Sequence, residues 1–566
     1  MAAVALFLPS AWYPFVSFDD PGYIANNPFL GGFDPANLVR IWSVGGAPGE
    51  KLYIPLTYTT YFAETALFGK IPFPIHVDNI LLHALNAVLV FSLARRLGLS
   101  AVYAFLASMA FVVHPLQVEP VAWCMGRKDL LSAFLALSAL SVFPRHGDDG
   151  EGRAFRAAAS AALGTLAMLA KPTMVVLPAV TAALWLVEGG GGLVGGGRLD
   201  SKRFFGAIRR FPRSPSGAAT LFLCAAAVAV LVANLAGPFR KDPGIPLLDR
   251  ALCVPVVLGG WCARFALFSP IRHFYQWPPS GMLPAAALKG TVAFAAASLL
   301  AFAALKKARF DKVAVFGLVM LAVGFLPPLA HSGLSTDFIT ADRYGYFPLI
   351  GAFLFLAAIA ERFEGAWKKG FLALLFVWMA AGIAKSRPVL RAWSGDVAFW
   401  SFDLRSNPGD SHAQYYLALA YQCRGENSKA LRYYAECLEA NPKHQKALYN
   451  SGSIMFESGR YADAEALYSR AAAVDGAFKA LALAGLAEAR IRMRKVDSAI
   501  EALERALELD PEMGEARLRL ARLFLFKGDR TRALEEARRA AGQGVDWTDD
   551  LKRAFPDEEE RSGEGK

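Results

Sequence analysis

The stretch "SFDDPGYIANNP", Ser17 to Pro28, places two adjacent carboxylates, Asp19 and Asp20, straight after an apolar lead. A carboxylate beside hydrocarbon is costly unless it is solvated, paired or working. What surrounds this stretch decides which. The chain has 566 residues, of which 55% are apolar and only 19% charged. That is not a soluble average, and the length implies more than one domain. Up to Gly395 the apolar segments are long and nearly free of charge, whereas from Asp396 onward Glu, Arg, Lys and Ala dominate. These features predict an all-α protein. A polytopic transmembrane helix bundle occupies 1–395, an α-solenoid 396–545 and a charged, disordered tail 546–566.

Windows long enough to cross the hydrocarbon predict spans near 1–16, 75–94, 99–116, 129–143, 157–170, 173–187, 217–236, 284–304, 313–329, 343–360 and 370–385, about eleven in all. A signal peptide is the competing reading of the first, but no basic n-region or small-residue cleavage site precedes the aspartates. Basic loops set the topology. Arg95 and Arg96, Arg145, Arg153 and Arg156, the run from Arg198 to Arg213, Lys306 to Lys312, and Lys368 and Lys369 should all be cytoplasmic. They are so only if 251–283 makes no single crossing, so it is read as a re-entrant or interfacial element whose "SPIRHFYQWPP" suits an interface. The N-terminus is then inside, and the Asp19–Asp20 loop and the C-terminal domain are outside. Should 251–268 cross, the C-terminal domain moves to the cytoplasm. The net charge of +11 is explained by these loops and calls for no nucleic acid. The six cysteines show no metal-type spacing, and Cys423 and Cys437 read as ordinary thiols that an oxidising compartment would allow to pair.

The C-terminal part repeats itself. Asn407-Pro408, Asn441-Pro442, Asp475-Gly476 and Asp510-Pro511 recur at the tetratricopeptide period, as do Gly425, Gly459 and Gly528. Ala430, Ala464, Ala499 and Ala533 hold one small position, and Cys437, Ala471, Ala506 and Ala540 hold another, where paired helices cross closely. Such arrays form a concave groove suited to an acceptor protein or peptide. The blander alternative is a passive spacer.

Three more polar clusters fall on the predicted outer side. They are "HPLQVEPVAWCMGRKDLLS" (His114 to Ser132), "LAKPT" around Lys171, and "TADRYGYFPLIG" (Thr340 to Gly351). With Asp19 and Asp20 they gather His114, Glu119, Arg127, Asp129, Lys171, Arg343 and Tyr346 at one membrane boundary. A carboxylate can take a proton from an incoming hydroxyl, and Arg or Lys can hold a phosphate leaving group. Taken singly, Arg343 and Lys171 could be interfacial anchors, Tyr346 a belt residue, His114 a helix end, and Asp20-Pro21-Gly22 a turn.

The ordered motifs "FDDPGYIANNP", "YIPLTYTTYF…HVDNILLHALNAVLV" (Tyr53 to Val90), "HPLQVEPVAWCMGRKDLL", "LAKPT" and "ADRYGYFPLIG", followed by repeats, resemble the GT-C glycosyltransferases. More narrowly they resemble the transmembrane and tetratricopeptide-repeat O-mannosyltransferase family. The second cluster is similar to its His-Pro…Glu…Gly-Arg-x-Asp motif, and "LAKPT" to its Leu-Ala-Lys-Glu element, with Pro172 where Glu is usual. The resemblance implies a polyprenyl-phosphate-linked sugar donor, an extracytoplasmic active site and catalysis by the acidic pair, Asp19 first and Asp20 second. His114, Glu119, Arg127, Asp129, Lys171, Arg343 and Tyr346 are expected to bind substrate. Loops such as "EGGGGLVGGG" suggest a bacterial inner-membrane protein, periplasmic site and undecaprenyl phosphate. A divalent metal, Mg or Mn, on Asp19 or Asp20 is chemically allowed, but no His/Asp/Glu spacing demands one. The competing functions are a non-catalytic membrane scaffold, which an Asp19→Asn change should not affect, and a transporter, against which stands the lack of an inverted repeat.

Overall fold

The computed structural model describes residues 1–45, 52–145, 152–189, 194–195, 198–199, 211–235, 245–268, 271–273, 275–278, 281–331 and 339–556. Most of "EGGGGLVGGG", the basic run 200–210 and the tail 557–566 lie outside them. Two compact units part at Ser406/Asn407.

In the first unit every predicted span falls on helical backbone. Among the described residues seven helices are long and apolar enough to cross a membrane, or eight if the bent pair Ala101–Val113 and Pro115–Ala122 is one span. The helices Arg127–Val142, Arg153–Ala170 and Pro348–Arg362 complete the bundle. The bundle has two chemically distinct ends. At one, Arg96 pairs with Glu188 at 2.7 Å and also reaches the carbonyls of Leu140 and Ser141. There too Arg362 pairs with Asp311 at 2.6 Å and Glu361 accepts from the Ser100 N–H. This end carries the basic helix termini. The other gathers Asp19, Glu119, Asp129, Lys171 and Arg343.

The region expected to be re-entrant is instead one continuous helix, Leu247–Leu267, long and apolar enough to cross. The interfacial chemistry lies just after it, in the Pro- and aromatic-rich segment, so nothing polar breaks the helix between Arg250 and Arg264. It packs on Leu283–Lys307 without side chains between the backbones: a Cβ on Gly259 would stand 2.4 Å from the Gly290 Cα. Asn234, ending the preceding helix Pro215–Leu235, accepts from the Tyr53 N–H at 2.9 Å, and nearby Thr57 donates to the Ala170 carbonyl. Arg264 meets Asp342 at 3.4 Å. Both Asn234 and Arg264 therefore sit at the end that holds Lys171 and Arg343.

The domain division at 395/396 moves to 406/407. The helix Asp396–Ser406 buries Phe399 and Trp400 completely. Phe399 stacks on His273 at 3.9 Å, Asp403 accepts from the His273 N–H, and Asp396 accepts from the Ser17 N–H. Composition turns polar at Asp396, but these aromatic anchors keep the helix in the membrane unit.

The second unit stacks four helix pairs: Ser411–Cys423 with Asn427–Ala440, Gln445–Glu457 with Tyr461–Ala472, Lys479–Arg492 with Val496–Leu509, and Gly514–Phe526 with Arg530–Gly542. Ala430, Ala464, Ala499 and Ala533 are fully buried, as are Cys437, Ala471, Ala506 and Ala540. The pairs turn through Gly425, Gly459 and Gly528 at φ 74–79°, while Arg494 takes the same turn at φ 58°. Part of the segment expected to be disordered is ordered. Leu551 is fully buried and the Trp547 indole donates to the Ala537 carbonyl, so 546–556 packs on the last pair. All six thiols are free, with Cys423 exposed and Cys437 buried.

Candidate functional site

The site is assembled from helix ends. Arg127, Lys128 and Asp129 open the helix 127–142, Lys171 ends the helix 153–170, and Asp342–Gly345 forms a short turn before the helix 348–362. Three successive residues at a helix start point about 100° apart, and here they have three fates. Arg127 turns into the bundle, where its guanidinium binds Asn79 Oδ1 at 2.8 Å, Glu64 Oε2 at 3.1 Å and the Ile75 carbonyl at 3.1 Å. Asp129 forms a buried ion pair with Lys171, whose ammonium also stands 5.4 Å from the centre of the Tyr344 ring. Lys128 lies over Trp123.

Arg343 is held by Glu119 at two points. One carboxylate oxygen accepts from the Arg343 backbone N–H at 2.9 Å, and the other pairs with the guanidinium. The guanidinium lies 5.0 Å from the Trp123 ring centre and 5.2 Å from that of Tyr344. Asp129, Lys171, Arg343, Tyr344 and Tyr346 line one cleft with Thr173, Met174, Phe347 and Pro348.

The two aspartates of the opening stretch behave differently. Asp20 is buried, accepts from the Val16 N–H at 3.0 Å and faces Trp123 and the Met125 backbone. Burial pushes its carboxyl up to about 7, partly offset by the Val16 hydrogen bond. Asp19 is half-exposed, and its charge acts on Arg343. Because Asp20 turns into the protein, the adjacent carboxylates do not converge on one cation. Among the described residues no three His, Cys, Asp or Glu side chains come together as metal ligands.

Of the expected binding residues, Asp129, Lys171, Arg343 and Tyr346 share the cleft, and Glu119 stands behind Arg343. Tyr346 turns its hydroxyl inward, to His83 at 2.8 Å and Asn86 at 3.1 Å. His114 stays away from the cleft. Its Nδ1 accepts from the Leu116 N–H, its Nε2 meets the Phe265 carbonyl at 3.1 Å, and its ring stacks on Phe265. Arg127 is equally occupied. Trp123, Lys128 and Tyr344 were missed as site residues. All three stand within the quoted motifs, but nothing in their spacing marks an aromatic floor for cations.

Residues 56–192 match the family model described as dolichyl-phosphate-mannose-protein mannosyltransferase, and 415–478 and 490–554 match tetratricopeptide-repeat models. The chain thus carries, ahead of tetratricopeptide repeats, a region similar to protein mannosyltransferases. It is similar to the protein O-mannosyl-transferase TMTC1 of Homo sapiens, 26% identical over 497 residues, covering 77% of this chain and 54% of the relative. It is also similar to TMTC4 of Homo sapiens, 36% identical over 180 residues, covering 27% of this chain and 24% of the relative. The chain spans about half the length of the TMTC1 relative. Solved structures that match include YrrB, "a TPR protein with an unusual peptide-binding site", at 18% identity and TM-score 0.24, covering 32% of this chain and 92% of that one. Another is PilF of Pseudomonas aeruginosa, at 20% identity and TM-score 0.27, covering 34% and 85%.

Proposed function

We propose that the protein transfers a sugar, mannose or a close relative, from a polyprenyl-phosphate donor to a hydroxyl of a protein or peptide on the extracytoplasmic side. The observation that carries this reading is the cleft: Arg343 and Lys171 stand buried and preorganised at one bundle end, within the field of the half-exposed Asp19. The basic helix termini at the opposite end support an extracytoplasmic site through the positive-inside rule.

In this mechanism Asp19 accepts the proton of the acceptor hydroxyl as its oxygen attacks the anomeric carbon. The bond from that carbon to the phosphate oxygen breaks, and the electron pair leaves with the phosphate. The departing phosphate gains negative charge, which cations beside the cleft stabilise. Asp20, fastened to Val16 and about half protonated near neutral pH, holds the loop that presents Asp19. The last long helix, Gly365–Ala392, brings the chain back to the site end, where Trp393 meets Trp123. We assign the repeats to the same side, where their groove presents the acceptor.

The test is a purified assay with a polyprenyl-phosphate sugar donor and an acceptor peptide. Asp19→Asn should abolish turnover while donor affinity stays near its original value. Full activity in Asp19→Asn and Asp20→Asn alike would remove the reading.

A further inference from the structure

Four cations near the site already have carboxylate partners. Arg127 pairs with Glu64, Lys171 with Asp129, Arg264 with Asp342 and Arg343 with Glu119. The fifth, Lys128, does not. It is only 8% exposed, yet among the described residues it makes no ion pair. Its ammonium stands 5.1 Å from the centre of the Trp123 ring, whose centre also lies 5.0 Å from the Arg343 guanidinium. Both Lys128 and Arg343 act on the charge of Lys171. Two cations thus share one aromatic ring, and of the two only Arg343 has a carboxylate ion-pair partner, Glu119, among the described residues.

An aromatic face steadies an ammonium, but it does not replace the hydration or counter-charge lost on burial. An ammonium so placed has no carboxylate partner among the described residues and can take an anion from outside. The helix start turns Arg127 inward and leaves Lys128 on the side of Trp123 and Arg343.

We propose that Lys128 holds the phosphate of the lipid-linked donor, with the Trp123 ring and the Glu119-anchored Arg343 fixing its position. This rests on the lipid-phosphate reading above. As the anomeric bond breaks, the phosphodiester becomes a monoester with one more negative charge. Lys128, the cation not already neutralised, is the one that meets that charge in full. A compact ammonium with rotatable donors suits a group whose charge grows during the step.

The test uses the full chain in nanodiscs, with farnesyl phosphate as probe and farnesol as its uncharged control. Lys128→Met keeps the aliphatic stem over Trp123 and removes only the charge. It should weaken farnesyl phosphate binding about tenfold or more, leaving farnesol binding unchanged. Lys128→Arg should retain most of the phosphate affinity. Unchanged farnesyl phosphate affinity in Lys128→Met overturns the assignment, and so does an equal loss of both ligands, which marks a packing role. Transferase assays separate this from the parent reading. If the natural chain transfers sugar and Lys128→Met leaves the donor KM unmoved, Lys128 falls and the transferase stands. If phosphate binding depends on Lys128 while no sugar moves, the anion site stands and the transferase reading falls.

Discussion

The two units spend charge in opposite ways. In the membrane unit the site's charges are few, buried and matched almost one to one: the side chains of Arg343 and Glu119 are 8% and 5% exposed. In the repeats charges are plentiful and open to water, as in Arg460–Asp463 at 60% and 51%. A buried pair loses hydration that only its partner restores, so removing one member leaves a large deficit. An exposed pair is nearly as content with water. Charge therefore specifies structure at the membrane boundary, whereas in the repeats small residues at the helix crossings do that work.

The largest effect that would break this contrast is catalytic. Asp19→Asn should cut turnover by roughly two to four orders of magnitude, with melting temperature unchanged, in a purified donor–acceptor assay. Next comes Glu119→Gln, which strands Arg343. It should cost about 3–5 kcal/mol in an SDS unfolding titration in bicelles. Glu436→Gln in the exposed Arg432–Glu436 pair should leave the repeats unmoved. Equal losses from the two changes would erase the distinction.

In the repeats the sensitive positions are small rather than charged. Ala464→Leu forces a side chain into a fully packed crossing and should cost about 1–3 kcal/mol, read by hydrogen exchange over 445–472. Asp20 sharpens the comparison through pH. Its folded carboxyl binds a proton up to about pH 7, whereas unfolded it releases it near 3.8, so folding takes up a proton between these values. Stability then falls as pH rises through that window. Asp20→Asn should flatten the fall, seen in melting curves against pH. The smallest effect is Arg494→Gly. Glycine occupies the equivalent turn in three repeats, and placing it here should add up to about 1 kcal/mol locally, visible as slower exchange over 479–509.

Much of this was legible in the sequence because it rests on periodicity. Apolar windows placed the helices, and a spacing of one repeat placed every buried Ala at the crossings. The site was only partly legible. Motif order gathered Asp129, Lys171 and Arg343, which line one cleft, but partner choice depends on helix rotation that no spacing records. Arg127 and Lys128 are neighbours in the chain, yet one is consumed by Glu64 and Asn79 while the other faces Trp123. The domain boundary escaped for a related reason. Composition turns polar at Asp396, but two buried aromatics, Phe399 and Trp400, tie the next helix to what precedes it.

The free cysteines carry a practical consequence. Cys124, Cys253 and Cys437 are buried, Cys262 is partly buried in the apolar helix Leu247–Leu267, and the exposed Cys224 is flanked by the outward-facing Leu221, Phe222 and Val228 of an apolar helix suited to hydrocarbon. Cys423, on a repeat helix, is exposed to water. A bilayer-impermeant maleimide added to sealed vesicles will therefore tag Cys423 from one side alone. The untouched chain thus carries its own compass for which face of the membrane its repeats occupy, with no reporter fused and no residue introduced.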